Sequence, residues 1–478
     1  MENQTSPSKK IHERLDLMAL NMKLLRNVGI IPSETTSPSS WKWKLNRFGH
    51  SLFFLVYISV LMLQLLSFYF YWGNMEIIVE NIGTTSGLAA CVFTALYVMV
   101  NWEEFCTMVH ELETNSIFSA EMVRANNKQM EIIRTSKRSA IIITWITIAS
   151  VTALCVSFDM TPMIRLFFSK SGHENSENIE RINVNFEYSV LIMWLPGDLV
   201  EDYWYWHLYT IQAAICFVSF AYISAVMPFI LTITVYTETQ FKIVSSSLIE
   251  IDERYKVGDT DTEFPKAEIS SEFIGSTREV NNDNTRPLRL IGMREQNTIK
   301  ESDGPNTFPE SGGFYGLAAT ELALDQDDAT NHLVECIKLH QAVIKFSNYS
   351  NSVTSPIFFI YFIAATLVIV THTFKLSLSV SLKYCCTLLF CLTQIFVYCH
   401  VGERVKTESL AVGDAAYSCH WYKRTNRFKR HILLILVRAQ KPLYFSAGAL
   451  WKLTMEFFSQ VMNTSYTFYT LLSRVNEI

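Results

Sequence analysis

Seven separate stretches of mostly apolar residues constrain this chain of 478 residues more than any other feature, and they lie near 48–72, 82–101, 140–158, 208–236, 353–371, 380–401 and 447–472. A helix rises ~1.5 Å per residue, so about 20 such residues cross the ~30 Å hydrocarbon core of a bilayer. Inside that core every backbone N–H and C=O must be satisfied within the chain, which leaves helices as the natural reading of each stretch. The expected fold is an all-α integral membrane protein with seven transmembrane helices. A composition that is 49% hydrophobic and 13% aromatic agrees with it. The seventh stretch differs from the others, because it carries Lys452, Glu456, Gln460, Asn463, Thr464 and Ser465. A spanning helix with those side chains has to turn them away from lipid, towards a neighbour or water.

Charge orients the bundle. Eight Lys and Arg precede the first stretch, Arg134, Lys137 and Arg138 precede the third, and nine lie between the sixth and seventh, from Arg404 to Lys441. The segments on the other side are acidic: Glu76 and Glu80 in 73–81, and eight acids against three basic residues in 159–207. The excess of basic residues predicts a cytoplasmic amino terminus, and seven crossings then leave the carboxyl terminus extracellular. Met1 to Ser40 has no apolar core of a cleavable signal peptide. All ten cysteines fall in spans or cytoplasmic segments, so no ectodomain disulfide is expected.

Six regions follow. Residues 1–47 are a cytoplasmic segment with an amphipathic helix over Ile11 to Leu25, and 48–255 hold helices one to four. Residues 256–331 form a polar linker, rich in Asp, Glu, Asn, Ser and Thr, that cannot bury a core and is expected to be disordered. An amphipathic helix and helices five and six occupy 332–401, a basic, tyrosine-rich cytoplasmic anchor occupies 402–446, and the seventh helix with the carboxyl terminus occupies 447–478.

Little here suits catalysis. His50, His110, His372, His400 and His420 are isolated, without a Cys or His at metal-ligand spacing, and there is no Gly-x-Ser-x-Gly elbow or phosphate loop. The expectation is no enzyme activity, no metal, no cofactor and no nucleic acid partner. Binding and permeation remain. Asn463, Tyr466, Tyr469 and Thr470 give the seventh helix polar atoms over several turns, suited to lining a path for cations, and Leu471 and Leu472 then turn it apolar, where a dewetted constriction closes such a path. The same polar groups could instead only bond neighbouring helices. A second site is a pocket in the outer half of the bundle, beneath Trp194-Leu195-Pro196, to which helices two, three, four and six bring Thr84, Thr85, Phe158, Tyr209, Gln212, Phe217 and Tyr384. Aromatic and aliphatic surface with a few hydroxyls, one amide and no charge fits a small hydrophobic volatile ligand.

The order Ala415-Ala416-Tyr417-Ser418-Cys419-His420-Trp421-Tyr422, Arg438-Ala439-Gln440-Lys441-Pro442 and then a final helix with Tyr466, Phe468 and Leu471 resembles the last helix pair of the insect odorant receptors. Leu195-Pro196 with the following aromatic run, Thr237-Glu238-Thr239-Gln240-Phe241, and Cys336-Ile337-Lys338-Leu339-His340 extend the resemblance over nearly the whole chain apart from the linker. It implies a tetrameric, non-selective cation channel in the plasma membrane of olfactory neuron dendrites, in which a tuning subunit binds the odorant and assembles with a co-receptor. Tyr417, Trp421, Tyr422, Arg438 and Gln440 would then belong to the anchor between subunits. Arg438 to Pro442 and Ser465 to Phe468 look like tuning subunits, whereas Ala415 to Tyr422 and the long linker look like the co-receptor. The tuning subunit is the expectation. The co-receptor and a gustatory-type receptor channel are the alternatives, although Leu471-Leu472-Ser473-Arg474 does not supply the gustatory signature. A G-protein-coupled receptor conflicts with the charge pattern, and a transporter with the lack of internal repeats.

Overall fold

The helix over Trp41–Phe70 is inside out by the standard of a soluble protein. Leu55, Met62, Leu65 and Tyr69 are exposed on it, while Gln64 and Ser67 are buried. Apolar side chains face outwards and polar ones inwards when the surrounding solvent is lipid. The computed structural model describes residues 16–30, 41–114, 117–171, 189–194, 202–255, 313–379 and 381–476. Among them are eleven α-helices: α1 (Ala19–Asn27), α2 (Trp41–Phe70), α3 (Met75–Val100), α4 (Trp102–Thr114), α5 (Glu121–Arg124), α6 (Asn127–Ser171), α7 (Asp202–Arg254), α8 (Gly313–Leu378), α9 (Leu382–Ser418), α10 (Asn426–Ala439) and α11 (Met455–Asn476). A two-stranded hairpin, β1 (Ser446–Ala447) and β2 (Trp451–Lys452), precedes the last helix.

The chain is an all-α membrane protein of seven transmembrane helices. Six of these, α2, α3, α6, α7, α8 and α9, are long and apolar enough to cross a bilayer by composition alone. The seventh, α11, is long enough at 22 residues but more polar, as its sequence suggests. α7 and α8, with 53 and 66 residues, measure roughly 80 and 100 Å, two to three times the hydrocarbon thickness. Their surplus length joins α4, α10 and the end of α9 in a second packed layer beyond the spans. The core is built by α6 and α9 against α7 and by α3 against α8. Among its largest fully buried side chains are Tyr236, Phe241, Phe358 and Tyr398.

Two boundaries differ from the sequence expectation. The segment read as linker to 331 is helical from Gly313 onwards, where Leu317, Ala318, Ala319, Glu321, Leu322 and Ala323 favour helix strongly enough to extend α8. The remainder of that linker, Leu195-Pro196 and the first residues of the amino-terminal amphipathic run lie outside the described residues. The seventh span does not begin at 447, because Gly448 sits at φ +62 in the hairpin and its N–H donates to Ser355 O at 3.1 Å. A Cβ at Gly448 would stand 2.9 Å from the Phe359 ring, so both the backbone conformation and the space call for glycine. Helix resumes after Thr454, whose hydroxyl accepts from Phe457 N, while Glu403 Oε2 accepts from Met455 N. These are the free N–H groups that any helix start must satisfy.

Candidate ligand cavity and last helix

Near one end of the bundle α3, α6, α7, α8 and α9 part to leave a cavity of about 120 Å³. Small residues make the room: Gly87 and Ala90 on α3, Ala364 and Ala365 on α8. Larger apolar side chains close it, among them Leu88, Phe158, Tyr222, Val368 and Phe390. Close packing of α3 on α8 depends on Gly83, where a Cβ would meet His372 Cε1 at 2.8 Å. The lining includes Tyr361 and His372, both buried, and neither Tyr361 Oη nor His372 Nε2 has a hydrogen-bond partner among the described residues.

Of the seven residues expected to bind ligand, Thr84 and Phe158 line this cavity. Thr85 hydrogen-bonds to Asn81 Oδ1 at 3.1 Å. Phe217 points away from the bundle, 65% exposed. Tyr209 donates its hydroxyl to Asp159 O at 2.7 Å. Gln212 is spent on the segment before α7: its Oε1 accepts from Ser189 Oγ, Val190 N and Leu191 N, and its Nε2 donates to Leu191 O at 3.2 Å. Trp194 ends that segment, stacked on Phe70 at 4.6 Å. Tyr384 lies edge-on against His372, one layer behind the lining. Part of the cavity wall comes from the fifth spanning helix, α8, which supplies Tyr361, Ala365, Val368 and His372 and was not among the four helices expected to build the pocket. A histidine in an otherwise uncharged span was the signal available for it.

A buried ion cluster stands beside Tyr384. Lys383 Nζ lies 3.0 Å from Glu80 Oε1 and donates to Val190 O at 3.4 Å, and Lys375 lies 3.5 Å from Glu80 and from Glu76. Lys383 also sits over the rings of Phe158 and Tyr384, at 5.0 and 5.8 Å. The sequence reading assigned Glu80 to a loop, but α3 starts at Met75 with Asn74 as its cap.

α11 runs beside α8 and α9, with Phe457 against Phe362 and Phe458 against Phe396. Its inward face is Phe457, Val461 and Ser465, spaced by four. The other side is left uncovered in this single chain: Asn463, Tyr466, Phe468 and Leu471 are exposed, while Tyr469, Thr470 and Leu472 are half-buried. On the anchor, Tyr417, Tyr422 and Gln440 are exposed, and Trp421 and Arg438 are half-buried. Sequence reasoning missed the residue that fastens this region, Arg424. It is buried, donates to Tyr255 O and to Asp252 Oδ1 at 3.4 Å, and lies over Phe428.

A family model described as 7tm Odorant receptor matches residues 74–466. Odorant receptor Or2 of Anopheles gambiae is 29% identical over 147 residues, 30% of this chain and 39% of that relative. The odorant receptor coreceptor of Aedes aegypti is 31% identical over 85 residues, 18% of each chain. The alignments span about two fifths or less of the length of these curated relatives. The solved structure of the insect olfactory receptor OR5 from Machilis hrabei in complex with eugenol has a TM-score of 0.68 to this chain at 12% identity, covering 96% of this chain and 100% of that one. That likeness is one of fold.

Proposed function

The chain belongs to the odorant receptor family, and from that premise we propose that it is a tuning subunit, which binds a small uncharged volatile molecule and, with a co-receptor, opens a cation channel in the plasma membrane. The cavity of about 120 Å³ carries this reading. It is almost wholly apolar and lies among helices whose small residues hold it open, which suits an uncharged ligand and offers no counter-charge to an ion. Burying apolar ligand surface contributes roughly 25 cal/mol per Å², which makes burial the main source of affinity for a small ligand with few directional bonds. The match to Odorant receptor Or2 runs over 147 residues and that to the coreceptor over 85, which favours the tuning subunit.

Permeation falls to α11. Its uncovered side carries Asn463, Tyr466 and Leu471, and in an assembly of four subunits this side would meet its counterparts around a water path. Filling the cavity tests the binding half of the proposal. Ala365→Phe should raise the EC50 of every activating ligand about tenfold or more, while surface expression and the current evoked by a co-receptor agonist stay as they were. Unchanged ligand responses in this variant would place binding elsewhere.

A further inference from the structure

The cavity holds two polar atoms that nothing among the described residues satisfies. Tyr361 Oη and His372 Nε2 are both buried without a hydrogen-bond partner, and both residues line the cavity. They stand three turns apart on one face of α8, roughly 16 Å along its axis. An orphaned polar group in an apolar surround costs about 1–3 kcal/mol, so a site that keeps such groups invites a ligand that pairs with one of them, a single ring being too short to reach both.

The hydrogen bonds around His372 fix which partner it accepts. Thr371 Oγ1 is 2.9 Å from Leu367 O and 3.2 Å from Val368 O, so its single hydrogen is committed to a backbone carbonyl. The same oxygen lies 3.3 Å from His372 Nδ1 and can only accept there. In the tautomer in which Nδ1 donates to that oxygen, Nε2 presents a bare lone pair. No donor among the described residues reaches it, the Lys383 ammonium being turned to Glu80 and Val190 O.

We infer that the cavity selects ring-sized, uncharged molecules carrying an O–H or N–H donor, a phenol or small alcohol, which donates to His372 Nε2. The size follows from the volume: an apolar cavity of ~150 Å³ takes up benzene, and this one measures about 120 Å³. His372 is then the specificity-determining residue, rejecting ethers and hydrocarbons of equal size because they leave Nε2 unpaired. This inference rests on the cavity being the ligand site.

The test compares p-cresol, anisole and ethylbenzene, matched in heavy-atom count, on cells expressing the chain with a co-receptor. Wild type should respond to p-cresol at a concentration about fivefold or more below the other two, the ratio that one net hydrogen bond supplies. His372→Phe should abolish that preference by raising the p-cresol EC50 alone, and His372→Gln, whose amide oxygen accepts, should restore part of it. Equal potency of the three on wild type overturns the inference without any variant, as does an equal loss for all three in His372→Phe, or no response to any of them. Ala365→Phe separates the two levels. If it weakens all ligands while the donor preference is missing, the cavity binds and the role of His372 is wrong. If it weakens none, the cavity is not the site.

Discussion

Glu80 is paired with two buried lysines, Lys383 and Lys375. Its side chain is 13% exposed and that of Lys383 7%, so both ions have left water and rely on each other. Replacing one member of such a pair leaves an uncompensated buried charge, at about 3–5 kcal/mol, whereas replacing both with apolar groups is often nearly neutral. Glu80→Gln strips the carboxylate from Lys383 and should sharply lower surface expression and the melting temperature of the purified receptor. Glu80→Gln combined with Lys383→Met should recover part of the loss, the rest falling on Lys375, which keeps only Glu76, and no recovery would mean that Glu80 acts through something other than the Lys383 pair. Neither residue was legible as a partner in sequence, since they are 303 positions apart. Gln212 is a similar case. Its amide was readable as a polar group in an apolar helix, but not the four hydrogen bonds to residues 189–191 that consume it.

At the scale of elements, apolar runs predicted the number and order of spanning helices, because hydrophobic length is a local property. Ends were less legible. The helix start at Met455 rather than at 447 depends on Gly448 docking against Ser355 and Phe359, and tertiary contacts of that kind leave no periodic trace. Likewise the cavity wall on α8 shows in sequence only as His372, a lone histidine at the end of an apolar stretch, since Tyr361 reads as an ordinary member of that stretch. α11 carries the element-scale prediction. Leu471 is 56% exposed near the end of the helix, beyond the polar run that starts at Asn463. In an assembled channel it would form the apolar constriction, and Leu471→Ser should keep that constriction wet. The expected outcome is a raised current without ligand or altered ion selectivity, partial because other subunits keep their own side chains. A ligand-free current and selectivity identical to wild type would remove Leu471 from the gate.

For the whole molecule, the basic residues before α2 and on α10 predict which end faces the cytoplasm. The surplus lengths of α7, α8 and α9, the anchor and α10 all gather at the end that this rule assigns to the inside. α10 presents Leu433, Leu434 and Val437 outwards at about 60% exposure each, too apolar a face for a surface meant to stay in water and suited to burial between subunits. Epitope tags at the two termini should therefore be reached by antibody in intact cells only at the carboxyl end; labelling of the amino end instead would invert the topology. The seven-helix fold was legible in sequence because lipid imposes one rule on every span. Assembly was not, since an interface with absent subunits shows only as apolar surface left uncovered.

The central claim is that this chain supplies ligand recognition to a channel completed by a co-receptor. Whole-cell current in a cell line without other receptors tests it most directly, with this chain alone, the co-receptor alone and the two together, during application of small uncharged volatiles with G-protein signalling blocked. A ligand-evoked, non-selective cation current that reverses near zero is expected only in cells expressing both. Currents as large from this chain alone, or currents lost when G-protein signalling is blocked, would contradict it.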